Sequence, residues 1–193
     1  MGRYLAMFFG VMLWAAPALA QPMESDLDGL GIAHAEGVAP DFELSLLDGD
    51  TIRLSNLHGQ VVVLNFWATW CGPCREEMPD LEAAYQRFQD SGLVVLAVSE
   101  DRGKQKRIKR LKDKMGLSFP VLLDPKGVVG RSYGVGSLPA TVLIDADGHL
   151  LGRAVGIREW DGDAAQRLFK SMLNAASTTD TADLAVTRGG SRL

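Results

Sequence analysis

Residues 61 to 67 (Val-Val-Val-Leu-Asn-Phe-Trp) form an apolar run broken only by Asn65, and Cys71-Gly72-Pro73-Cys74 follows within four residues. Such a run, rich in β-branched residues, reads as a strand buried on both faces. Beyond the cysteines, Leu81, Ala84, Tyr85 and Phe88 fall at i, i+3, i+4 and i+7, which marks one apolar face of a helix. A central strand therefore ends on a cysteine pair that opens a helix. The first amides of a helix lack intrahelical partners and carry partial positive charge. A thiolate placed there is stabilised, so its pKa falls below the free value of ~8.5. Cys71, at the lip of the turn, is assigned as the exposed nucleophile. Cys74 lies one turn further in on the same face and can reach back to close a redox-active disulfide. Gly72 allows a partner backbone to approach, and Pro73 is tolerated early in a helix because its missing N–H would be unpaired anyway.

The rest of the chain alternates in the same way. Phe42, Leu44 and Leu46 alternate with polar residues, Asp48-Gly49-Asp50 turns the chain, and Ile52 and Leu54 alternate again, which predicts a hairpin. Further strands are expected at Leu93–Val98, Pro120–Leu123, Thr141–Ile144 and, after the Asp147-Gly148 turn, Leu150–Val155. Ile108, Leu111 and Met115 make a narrow helical stripe, and Ala165, Leu168, Phe169, Met172 and Leu173 make another. Strands alternating with helices describe an α/β fold, a central sheet with helices on both faces. Residues 21–37, rich in Gly, Asp and Glu, read as a linker, 38–174 as the folded domain, and 175–193, rich in Ser, Thr, Asp and Gly, as a disordered tail.

Residues 1–20 read as a secretory signal peptide. Arg3 precedes an apolar run from Tyr4 to Ala16, Pro17 breaks it, and Ala18-Leu19-Ala20 has the small-x-small form a signal peptidase needs. The run is short of the ~20 apolar residues of a membrane span, so an uncleaved anchor is the lesser reading. Either way the domain is expected outside the cytoplasm, in the periplasm or an equivalent compartment. A net charge of −4 gives no sign of nucleic-acid binding. Two cysteines are too few for a structural disulfide framework. Zinc is not expected, because no second cysteine pair exists and His34, His58 and His149 lack ligand spacing. Neither metal nor cofactor is expected.

Trp67-Ala-Thr-Trp-Cys-Gly-Pro-Cys-Arg-Glu-Glu-Met-Pro79 resembles the TlpA/ResA-like branch of the thioredoxin superfamily. Ala39-Pro40-Asp41-Phe42 and Leu138-Pro139-Ala140-Thr141 fit the same pattern, so the resemblance extends over about Val38 to Leu173. It implies a thioredoxin-like fold, a central mixed β-sheet with an added N-terminal β-hairpin. It also implies an extracytoplasmic reductase that serves cytochrome c maturation or respiratory oxidase assembly. The partners would be exported proteins carrying disulfides and a membrane electron donor, and the protein is read as a monomer. Cytosolic thioredoxins carry a buried Asp where this chain has Asn65, and the TlpA/ResA-like proteins place a glutamate three residues past the second cysteine, here Glu77. By resemblance Glu77 assists proton transfer, Pro139 is a cis-proline facing the cysteines, Leu138 pairs with an extended substrate segment, and Trp70 covers Cys71 and offers substrate contact area.

Two other functions compete. The Ala-Pro-Asp-Phe segment is shared with peroxiredoxins, but a thiol peroxidase wants a threonine three residues before its reactive cysteine, and Thr69 is two before Cys71. Copper-delivery relatives space their cysteines by three residues and add a distal histidine, whereas this chain has two between them and only His149 beyond Pro139. Gly103 to Lys114 holds seven Lys or Arg residues and one acid, a solvated face or a docking patch for an anionic partner. Asp145-Ala-Asp147-Gly148 reads as a hairpin turn rather than a calcium loop.

Overall fold

The computed structural model describes residues 20–103 and 105–189. The expected signal peptide, apart from Ala20, lies outside them. Among the described residues no helix is long and apolar enough to cross a membrane.

The run at 61–67 is the strand β4 (Val61–Trp67), buried at every position. On one side it pairs in parallel with β5 (Leu93–Ser99), and β5 with β6 (Val121–Leu123). On the other it pairs antiparallel with β7 (Ala140–Ile144), then β8 (Leu150–Val155), then the two-residue β1 (Ala33–His34). The mixed six-stranded sheet thus has the order β1-β8-β7-β4-β5-β6. A separate hairpin, β2 (Glu43–Ser45) and β3 (Thr51–Arg53), is the one the alternation around Asp48-Gly49-Asp50 predicts.

Successive side chains of a strand point to opposite faces, and β4 feeds two cores accordingly. Val61, Val63 and Trp67 pack with Met78, Leu81 and Phe88 of α2 (Gly72–Phe88), Ile108 of α3 (Gln105–Met115), and Leu168 and Phe169 of α5 (Asp163–Gly189). Val62, Leu64 and Phe66 pack with Phe42 and Leu54 of the hairpin region and with Val129 and Tyr133 in and after the short α4 (Val128–Ser132). Asn65 is the one polar residue on the α2-facing side of β4, and it is fully buried.

Two expectations at the domain edges are corrected. Residues 21–37 are not a linker: α1 (Ala20–Gly29) and β1 lie there. Leu27 and Ile32 are buried in the α2-side core, Asp26 accepts from Arg167 Nε at 3.0 Å, and β1 pairs with β8. The segment carries few apolar residues, so its helicity comes from docking on α5 rather than from its own propensity. At the other end, α5 continues through Gly189 instead of giving way to disorder at 175. Residues 175–188 hold no Pro or Gly. Ser, Thr and Asp cost at most ~0.7 kcal/mol each against Ala in a helix, and extending a docked helix needs no new nucleus.

Candidate active site

Strand β4 ends at Trp67, and three residues carry the chain to Cys71 at the N-cap of α2. That connection is held by Asp101: its carboxylate accepts from Thr69 N (2.7 Å), Thr69 Oγ1 (2.5 Å) and Ser99 Oγ (2.9 Å). The Thr69 hydroxyl is thereby committed to Asp101 and buried, which counts against a peroxide-positioning role. Cys71 has an extended backbone (φ −79°, ψ 108°), and its Sγ accepts from the Cys74 amide at 3.2 Å. This is the N-cap bond expected of a sulfur at a helix start. The two sulfurs are joined in a disulfide (2.07 Å). Cys71 retains 5% exposure and Cys74 none, so an incoming group meets Cys71 first.

Glu77 sits one turn beyond Cys74 on the same helix and is 1% exposed. Its Oε1 accepts from Asn65 Nδ2 at 2.8 Å and its Oε2 from Trp160 Nε1 at 3.2 Å. Asn65 Nδ2 also donates to Thr141 Oγ1 at 3.0 Å, directly across the β4–β7 ladder. Asn65 Oδ1 is buried without a hydrogen-bond partner. Burial raises the Glu77 pKa above the ordinary carboxylate value; the bonds from Asn65, Trp160 and the Arg158 backbone oppose that shift without cancelling it. A buried carboxyl with a raised pKa beside a thiol pair is a group poised to take and return a proton.

Leu138-Pro139 is a cis peptide bond. Phe66 pairs with Ala140 across the antiparallel ladder, which brings Pro139 to the end of β4 where the chain turns toward the cysteines. The Pro139 carbonyl accepts from Gly156 N at 2.8 Å. No backbone hydrogen bond to Leu138 occurs among the described residues. Trp70, immediately before Cys71, is 63% exposed. Pro73 is exposed in the first turn of α2, and a methyl group added at Gly72 would meet nothing within 4 Å. The site residues named from the sequence thus gather around the end of β4 and the start of α2. The carboxylate partners Asn65, Thr141 and Trp160 were not among them. Trp160 is fully buried, stacks on Phe169 and donates its indole N–H to Glu77. The Asp145 carboxylate accepts from the amides of Asp147 (3.0 Å) and His149 (2.7 Å), which organises the β7–β8 turn as the hairpin reading requires.

A thioredoxin-like sheet, a cysteine pair at the N-cap of the following helix and a cis-proline at the end of the neighbouring strand define the class of thioredoxin-fold thiol–disulfide oxidoreductases. Within it, the chain belongs to the AhpC/TSA family, which matches residues 36–152. It is 44% identical over 110 residues to the thiol-disulfide oxidoreductase ResA of Geobacillus thermodenitrificans, covering 57% of this chain and 63% of that protein. It is 38% identical over 118 residues to ResA of Bacillus thuringiensis, covering 61% of this chain and 68% of that protein. Its fold is similar to the crystal structure of a thiol:disulfide interchange protein, DsbE, from Chlorobium tepidum, with a TM-score of 0.67 and 35% identity over 73% of this chain and 99% of the other.

Proposed function

We propose that this protein is an extracytoplasmic reductase of disulfides in exported proteins, acting in cytochrome c maturation or respiratory oxidase assembly. The observation that carries the reading is the asymmetry of the cysteine pair: Cys71, on the N-cap, keeps a small edge open to solvent, while Cys74 is sealed in the core one turn from a buried carboxyl. In the reduced protein the Cys71 thiolate attacks a substrate disulfide, forming a mixed disulfide and releasing one substrate sulfur as a thiolate. Cys74 then passes its proton to Glu77 and attacks Cys71 Sγ. The second substrate sulfur leaves and is protonated, and the Cys71–Cys74 disulfide seen here is regenerated. Two electrons pass to the substrate together with the one proton that Cys74 gave up, returned by Glu77 to the second sulfur; the first substrate thiolate takes its proton from solvent. The disulfide must be reduced again by an electron donor, which the reading places in the membrane.

The surroundings of Cys71 support a polypeptide substrate. The Leu138 backbone is available to pair with an extended segment, Trp70 offers exposed aromatic area, and Pro73 is exposed beside it. Nothing inside the chain demands glycine at 72, which fits a position kept bare for a partner backbone. Export is supported by the character of residues 1–20, and the compartment by the resemblance of the cysteine segment.

Replacing Cys74 with Ala in the full-length, exported protein tests this reading. The mixed disulfide on Cys71 can no longer resolve, so substrates should accumulate in covalent complex and be released by dithiothreitol. Capture of haem-attachment or copper-site proteins names the pathway. A trap that stays empty while Cys71 is reduced and alkylatable overturns the assignment.

A further inference from the structure

A groove of about 260 Å³ lies beside the cysteines between α2 and α3, lined by Thr69, Arg75, Arg107, Arg110, Leu111 and Lys114. Four of these six residues are cations and none is an acid. Arg107, Arg110 and Lys114 are spaced i, i+3 and i+7 and so share one face of α3, and Arg75 comes from the exposed side of the active-site helix. Among the described residues none of the four is in an ion pair, although Lys109 on the same helix is paired with Asp113 at 3.6 Å. Like charges gathered on one face repel one another, and a chain of net charge −4 has acids to spare for pairing them. Arg107 also lines a second groove that reaches Trp70 and Arg102. That groove contains Asp101, whose carboxylate is already held by Thr69 and Ser99, and Glu100. The purely cationic stretch is therefore the groove between Arg75 and Lys114, and Arg107 joins it to a groove of mixed charge that reaches the exposed tryptophan beside the nucleophile.

We infer that this groove binds an acidic segment flanking the target disulfide of the protein substrate, and so selects which disulfides reach Cys71. The inference rests on the proposed reductase reading and specifies its substrate class. Three of the four cations are arginines, whose forked guanidinium groups match carboxylates in a bidentate way. An anionic membrane is the other possible source of negative charge. A helix that lies on lipid needs an exposed apolar face, and the apolar residues of α3, Ile108, Leu111 and Met115, are turned toward the core.

Two disulfide-containing peptides, identical except for four Glu or four Gln beside one cysteine, are reacted with the dithiothreitol-reduced, desalted protein, and peptide thiol is followed by mass. The wild-type protein should reduce the Glu peptide about tenfold faster at low salt, and the preference should shrink as salt rises toward a Debye length of about 3 Å. In R107Q/R110Q/K114Q the Glu-to-Gln rate ratio should fall to about one. Glutamine keeps helix propensity near that of Arg and Lys, and the salt series on the wild-type protein tests the groove without any variant. Equal rates for the two peptides at low salt, or a preference that survives both salt and the triple substitution, overturns the inference while leaving the reductase reading intact. Binding to phosphatidylglycerol but not phosphatidylcholine vesicles, with no peptide preference, overturns it in favour of a lipid contact. Failure to reduce either peptide, or insulin, overturns the reductase reading and this inference with it.

Discussion

The amide of Asn65 and the carboxyl of Glu77 meet at 2.8 Å beneath the cysteine pair, one from the central strand and the other from the active-site helix. Each would be costly to bury alone. Asn65 is the polar interruption in β4, and Glu77 sits among Met78, Leu81 and Cys74, all essentially unexposed. Trp160 completes the arrangement from the far side, so that both carboxyl oxygens have a donor. What remains is a net desolvation that raises the carboxyl pKa.

Asn65→Asp would replace a donor with a second carboxyl at the same place. Two carboxylates this close in a buried site cannot both ionise. One of the two folded-state pKa values would rise strongly, so stability present below the unfolded carboxylate values is lost as pH climbs from them to that raised value. The variant should be nearest to wild-type stability at pH 4 and weaker by about 3 kcal/mol or more at pH 8, the range for an uncompensated buried charge. Urea unfolding of the oxidised proteins at the two pH values measures this, and an equal deficit at both would contradict it.

Glu77→Gln separates the proton-transfer role from the packing role. In the wild-type protein the unfolded chain gives up the Glu77 proton near the ordinary value of ~4.3, below the raised folded value. Between the two the folded state holds more protons, so this group makes stability fall as pH rises. Glutamine removes that fall, and the partnerless Asn65 Oδ1 can turn to accept from the new amide. The variant should therefore gain on the wild type from pH 4 to pH 8. Resolution of a preformed mixed disulfide on Cys71 should slow by about 10²-fold or more, the size of a lost general acid–base contribution. A variant with the wild-type resolution rate would assign Glu77 to structure alone.

Trp160→Phe keeps the ring stacked on Phe169 and deletes the indole N–H that Glu77 Oε2 accepts. The loss should be about 1–3 kcal/mol. It should be larger at pH 8 than at pH 5, because a hydrogen bond to an ionised acceptor is the stronger one. Chemical denaturation at both pH values decides this; a loss of the same size at both would mean that the indole serves packing only.

These partners explain what sequence reading could and could not see. β4 and the hairpin around Asp48-Gly49-Asp50 announce themselves by local pattern, as does the cysteine pair at a helix start. The Glu77 site does not, because its donors lie 12 and 83 residues away and only the sheet register and the β8–α5 connection bring them together. Asn65 was visible as a polar residue in an apolar run, yet nothing local says what it faces. The N-terminal segment fails for another reason. Residues 21–37 hold few apolar side chains, and α1 forms because Leu27 and Ile32 find the surface of β8 and α5. Five-residue α4 is too short to show a period.

The docking of that N-terminal segment can be tested at Gly152. Its neighbours are Ile32, Leu27 and the backbone of Ala33: a methyl group at 152 would lie 2.7 Å from Ile32 Cγ2, 3.2 Å from Leu27 Cδ2 and 3.3 Å from the Ala33 carbonyl oxygen. Gly152 is in β8, paired on one side with His34 and on the other with Leu143, so the strand has little room to move away. In an isolated strand Gly→Ala would stabilise by about 0.5–1 kcal/mol. Here overpacking should dominate, and Gly152→Ala should destabilise by about 1–3 kcal/mol. The effect should appear as faster amide hydrogen exchange in residues 26–34 before any change near Cys71. If the methyl group instead raises stability, residues 20–34 are not packed on β8 in solution, and the folded domain begins near Val38, where the sequence pattern alone would start it.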